Sequence, residues 1–278
     1  MDANNENMAP IGVFDSGYGG LTVLRDIKAL LPQYDYLYLG DNARAPYGSR
    51  SFELVYDFTL QAVEYLFGQG CRLVIVACNT ASAKALRSIQ QNDLPRIDPN
   101  RRVLGVIRPT VEQVGEISRN GHIGILGTPG TIASESYNME IAKLYPHFHA
   151  YGQPCPMWVP LVENKEYDSP GADYFVKKYL DEILGKDPQI DTLLLGCTHY
   201  PILLPKISRY VPDNIRILSQ GEIVAKSLAD YLRRHPEIET KCSKGGQVEY
   251  LTTESSETFD SLASVFIDRE VRSARIAL

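Results

Sequence analysis

Apolar residues follow two rhythms along this chain. Short unbroken runs such as IGVFD (11–15), DYLYLGD (35–41), LVIVAC (73–78) and VLGVI (103–107) alternate with longer stretches whose apolar positions recur every three or four residues. The first rhythm belongs to strands buried on both faces, the second to helices that cover them. SGYGG turns the first strand into the amphipathic helix LTVLRDIKALL, which Pro32 stops, and ARAPYGSRS leads into a long helix over 52–67. QQNDLPRIDPNRR reads as a polar loop. Alternating strand and helix predicts the α/β class.

The pattern then starts again. HIGILGTPGTIASESYNMEI repeats the strand, glycine turn and helix of IGVFDSGYGGLTVLRDI, with Gly124 standing 112 residues after Gly12. The strands ending in Cys78 and Cys197 are offset by 119 residues, and IRILS follows the second as VLGVI follows the first. Such offsets suggest two related halves, although any βαβ series shares some of this likeness. The expected fold is two similar open-sheet α/β domains facing each other across an active-site cleft. Residues 1–109 form the first domain and 110–221 the second. The stretch 222–278, with the helix IVAKSLADYLRR, the strand VEYLTT and a last helical segment, packs back on the first.

Charge narrows the function classes. A net charge of -6 over 278 residues argues against a general nucleic-acid binder, which needs a dense basic surface. No apolar stretch is long enough to span a bilayer, and MDANNENMAP lacks a signal-peptide profile, so a cytoplasmic location without membrane contact is expected. There the five cysteines stay reduced, and their odd number and wide spacing suggest no disulfide framework. No CxxC pair or close His/Cys cluster offers a metal site.

The candidate chemistry lies in two matched segments, LVIVACNTASAKAL and DTLLLGCTHYPILL. Each is an apolar run ending in a cysteine, followed by hydroxyl or amide residues and a helix-like stretch. Both cysteines therefore sit at the carboxyl edge of a parallel sheet, where ligands bind and helix-start N–H groups attract anions. A strand-end cysteine taken alone is more often inert core. Here Asn79 and Thr80 follow Cys78, and Thr198 and His199 follow Cys197, which suggests two acid–base thiols facing one small anionic substrate. Cys71, Cys155 and Cys242 lack that setting and read as structural. Asp15 and Ser16 each suit a helix cap, while Asp15 equally suits an anion beside a thiol or a substrate ammonium. His199, two positions after Cys197, suits either polarising the neighbouring thiol or donating to the substrate. The glycines at 17, 19 and 20 allow close ligand approach but match neither a dinucleotide fingerprint nor a P-loop.

FDSGYGGLTVLR, GDNARAPYGSRS, ACNTASAKAL, GTPGTIASESY and LGCTHYPIL resemble, in order, the successive signatures of the glutamate racemases, within the cofactor-independent aspartate/glutamate racemase family. The resemblance covers most of the chain and extends to the tail VEYLTTESSETFDSLASVF. It implies a cytoplasmic enzyme that interconverts L- and D-glutamate for peptidoglycan synthesis, with no cofactor and no metal, as a homodimer. By position it makes Cys78 and Cys197 the proton-transfer residues. Asp15 with Ser16, Tyr47 with Gly48, Asn79 with Thr80, and Thr198 with His199 become the substrate-contacting pairs, and Glu163 in VPLVENKE an acidic assistant to the second cysteine. Ser219 and Gln220, where the family often carries an aspartate, and Arg108, often a small residue there, depart from the pattern.

Two thiols suit the chemistry independently of that resemblance. Inverting a stereocentre takes a proton off one face and delivers another to the opposite face, and a cysteine pKa of about 8.5 needs only modest tuning to supply one thiolate and one thiol. The nearest alternative is a racemase of aspartate or another amino acid with the same pair. A binding or inhibitory role is a second, since some family members are reported to interact with DNA gyrase. A thiol hydrolase is a third, but it pairs one cysteine with a histidine base.

Overall fold

The computed structural model describes residues 8–267 and 269–278. Its strands are β1 (Ile11–Asp15), β2 (Tyr36–Gly40), β3 (Leu73–Val76), β4 (Arg102–Gly105), β5 (His122–Gly127), β6 (His149–Pro154), β7 (Thr192–Gly196), β8 (Arg216–Leu218), β9 (Val248–Thr252) and β10 (Ser273–Arg275). They form two sheets, ordered β10-β9-β2-β1-β3-β4 and β6-β5-β7-β8, and every pairing is parallel. This is the α/β architecture of two open sheets that the alternating pattern predicts. β2-β1-β3-β4 and β6-β5-β7-β8 have the same connectivity, which is the structural counterpart of the internal repeat.

Gly12 and Gly124 occupy matching places in the two central strands. A Cβ on Gly12 would lie 3.1 Å from Val74 Cγ2, and one on Gly124 only 2.6 Å from Leu193 Cδ2. The absent side chain lets neighbouring apolar residues close over the middle of each sheet. β1, β2 and β7 are buried along their whole length, which explains why their sequences are continuous rather than alternating. The Gly20–Leu30 and Gly221–Arg234 helices pack tightly, because a Cβ on Gly221 would fall 1.9 Å from Asp26 Oδ2. Among the described residues, no helix is long and apolar enough to cross a membrane.

Two segments differ from expectation. The stretch read as a polar loop is largely helical, running through a wide turn at Ile89–Asp93 into Leu94–Ile97. Ile89 is fully buried, Leu94 packs on the first sheet's core, and buried Asp93 accepts from Tyr56 and Arg96, so a few tertiary contacts outweigh a polar composition. Pro95 sits in the first turn, where its missing N–H costs nothing. The tail's last helix, Ser256–Ala263, is followed by the short edge strand β10. β9 pairs with β2, and β10 with β9, so the tail extends the first sheet.

Candidate active site

The strand ends of the two sheets converge on one cavity of about 250 Å³. Ser16, Tyr47, Gly48, Cys78, Asn79, Thr80, Glu163, Cys197, Thr198 and His199 all line it. Asp15 does not: its side chain is fully buried beneath the wall, where it accepts from Gly17 N–H at 2.9 Å and from the Thr198 hydroxyl at 3.4 Å. Burial drives the Asp15 carboxyl up, opposed by the charge of His199 and by hydrogen bonds from Gly17, Gly20 and Thr198.

Cys78 comes from the first half, at the point where β3 gives way to the Asn79–Lys84 helix. Its sulfur accepts from Ala81 N–H at 3.4 Å, acting as the helix cap, and lies 3.4 Å from Ser16 Oγ, to which the thiol donates. Burial and then the charge of Asp15 push its pKa up to about 12, against those two hydrogen bonds. Cys78 is therefore held as a neutral thiol across the physiological range.

Cys197, at the end of β7, is wired differently. His199 Nδ1 lies 3.9 Å from its sulfur, and His199 Nε2 lies 2.9 Å from Glu163 Oε1. Burial disfavours the imidazolium, but the hydrogen bonds and charges of Cys197 and Glu163 outweigh it and raise His199 to about 10. A buried imidazolium thus stands beside this sulfur. Phe266 packs edge-on against the His199 ring, with centroids 5.2 Å apart. Close approach of the first glycine turn completes the wall. A Cβ on Gly19 would lie 2.2 Å from Thr198 Oγ1 and 2.4 Å from His199 Nδ1, so that position accepts no side chain without displacing one of them.

The remaining predicted residues supply donors and spacing. The Tyr47 hydroxyl is hydrogen-bonded to Asp41, which Arg44 also holds, so the phenol braces the PYG turn. Gly48 accepts through its carbonyl from Gly130 N–H at 2.8 Å, tying that turn to the other half. Thr80 lies 2.9 Å from Thr128 and 3.2 Å from Thr131, hydroxyl to hydroxyl, and those two threonines are 3.0 Å apart.

Several contributors were not singled out from sequence. Thr128 lines the cavity at the position that the internal repeat equates with Ser16, so a signal existed. Cys155, read as structural, also lines the cavity at the end of β6, although burial pushes its thiol well up and leaves it a weak acid. Phe266 and Thr131 had no local mark. All five cysteines are free, and the described residues contain no cluster of three or more His, Cys, Asp or Glu suited to a metal ion.

The chain is similar to known racemases along nearly its whole length. Residues 11–228 match the Asp/Glu/hydantoin racemase family model. The chain is 39% identical to a glutamate racemase of Ruegeria sp. (strain TM1040), over 94% of this chain and 97% of that one. Its structure is similar to that of a glutamate racemase isoform from Bacillus anthracis, with a TM-score of 0.89 and 33% identity over 98% of this chain and 99% of the other. It is also similar to the glutamate racemase of Francisella tularensis solved in complex with D-glutamate, with a TM-score of 0.86 and 31% identity over 98% of both chains.

Proposed function

The chain belongs to the Asp/Glu/hydantoin racemase family and interconverts L- and D-glutamate, and from that premise we propose that Cys78 and Cys197 exchange the Cα proton between them. The observation that carries this assignment is their unequal wiring within one cavity. Cys197 has a buried imidazolium at its side, whereas burial and a nearby carboxylate hold Cys78 protonated. That asymmetry suits a two-base inversion, which needs a donor held on one face of Cα and a base on the other.

With L-glutamate bound, the Cys197 thiolate takes the Cα proton while the Cys78 thiol protonates the opposite face, yielding D-glutamate. The reverse reaction starts from the complementary state, in which the Ser16 hydroxyl and Ala81 N–H support a Cys78 thiolate. The developing negative charge on Cα and its carboxylate needs donors already in place within a water-poor site. Ser16, Thr80 and Thr198, with the N–H groups of the strand-to-helix turns, fit that need. They also fit a substrate carrying two carboxylates. In this reading Asp15, out of the cavity, acts through Thr198 and the glycine turn.

The same reading includes supply of D-glutamate for peptidoglycan, a cytoplasmic location and a homodimer, the last checked by sedimentation velocity. Circular dichroism of pure L- and D-glutamate with chelator-dialysed protein tests the reaction itself. Both solutions are expected to converge on the optically inactive mixture at equal kcat/KM, because the enantiomers have equal free energy in water. Faster conversion of aspartate than of glutamate, or optical change only after metal is restored, would refute the reading.

A further inference from the structure

Behind the Cys78 wall, buried side chains close a hydrogen-bond ring that spans both halves of the molecule. Asn79 Nδ2 donates to Gln220 Oε1 at 2.6 Å, Gln220 Nε2 donates to Tyr137 Oη at 2.7 Å, and Tyr137 Oη donates to Asn79 Oδ1 at 2.6 Å. Gln220 Nε2 also donates to Thr110 Oγ1 at 3.0 Å, and Thr110 in turn donates to the Val106 carbonyl at 2.6 Å. None of the four side chains belongs to a residue more than 3% exposed.

The ring has a fixed direction, and Thr110 sets it. A threonine hydroxyl carries one proton, and Thr110 gives it to Val106, so towards Gln220 it can only accept. The nitrogen end of the Gln220 amide must therefore face Thr110 and Tyr137, which turns Oε1 towards Asn79. Asn79 must answer with its own nitrogen. Both Gln220 N–H groups and the Asn79 oxygen are then occupied, and one N–H of Asn79 has no partner among the described residues. Asn79 lines the catalytic cavity.

We infer that Gln220 and Thr110 are positioning residues that hold the Asn79 amide with its nitrogen outward, as a dedicated donor to a substrate carboxylate. The inference rests on the proposed role of Asn79 in binding glutamate. Neither Gln220 nor Thr110 touches the cavity, so their effect on substrate passes through Asn79 alone. An amide free to flip would present its oxygen to the carboxylate part of the time and weaken binding without altering the thiols.

The test is a double-mutant cycle on KM and kcat in both directions. Thr110→Val keeps the shape and removes the acceptor; KM is expected to rise about tenfold, equivalent to about 1.4 kcal/mol, with kcat within about twofold. Thr110→Ser, which keeps the hydroxyl, is expected to restore KM. In an Asn79→Ala background, Thr110→Val should add nothing further. Gln220→Leu repeats the cycle should Thr110→Val fail to fold. If Asn79→Ala raises KM while Thr110→Val and Gln220→Leu do not, or if their effects multiply with it, the inference is overturned and substrate binding by Asn79 stands. If Asn79→Ala leaves KM unchanged, both fall.

Discussion

Cys78→Ala and Cys197→Ala are each expected to lower racemisation by at least about 10³-fold, within the range that one acid–base group contributes, while the protein stays folded. Each thiol is buried at the cavity wall, and trimming one sulfur costs only about 1–2 kcal/mol of stability. Melting temperature and far-ultraviolet circular dichroism are the controls, with Cys71→Ala as a comparison. Cys71 is equally buried but lies outside the cavity, so its variant should keep most activity. Isotopes separate the two roles. In heavy water, residual wash-in of deuterium should be confined to L-glutamate for Cys78→Ala, which retains the Cys197 base, and to D-glutamate for Cys197→Ala. Near-normal turnover in both directions by either alanine variant would end the two-thiol assignment.

The parts of this site that could be read from sequence are those that a local pattern determines. A continuous apolar run ending in Cys-Asn-Thr or Cys-Thr-His places its cysteine at a sheet edge, whatever the rest of the chain does. Recurrence of that pattern in both halves was enough to anticipate two sheets. Glu163 was reached only by resemblance, since nothing local distinguishes an acid at the end of the Trp158–Glu163 helix from any surface carboxylate. Phe266 against His199, and the ring joining Thr110, Tyr137 and Gln220, are made across the fold; Phe266, Thr110 and Tyr137 look ordinary in their own segments, and Gln220 stands out only as a departure from the family pattern, with no local mark of its partners. The misread loop failed for the same reason. Burial of Ile89 and Leu94 is a property of the sheet they land on and not of their neighbours in sequence.

Glu163→Gln is expected to move the pH profile as well as the rate. In the wild-type protein burial disfavours the imidazolium, but hydrogen bonds and charge from Cys197 and Glu163 outweigh it and raise His199 to about 10, so the imidazolium persists through neutral pH and is lost only as pH rises through that value. Glutamine keeps the shape and an oxygen facing Nε2 but withdraws the charge. The His199 pKa must then fall, and the cation beside Cys197 disappears at lower pH. The alkaline limb of kcat/KM, which reports the free enzyme, should shift downward, with activity at pH 8 to 9 reduced by about tenfold to 100-fold and a smaller deficit near pH 6.5. kcat/KM must fall by the same factor for both enantiomers, because the equilibrium constant between them cannot change. His199→Ala, which removes the cation at every pH, should lose about 100-fold throughout and flatten that limb. An unshifted limb in Glu163→Gln would mean that Glu163 orients the imidazole without setting its charge.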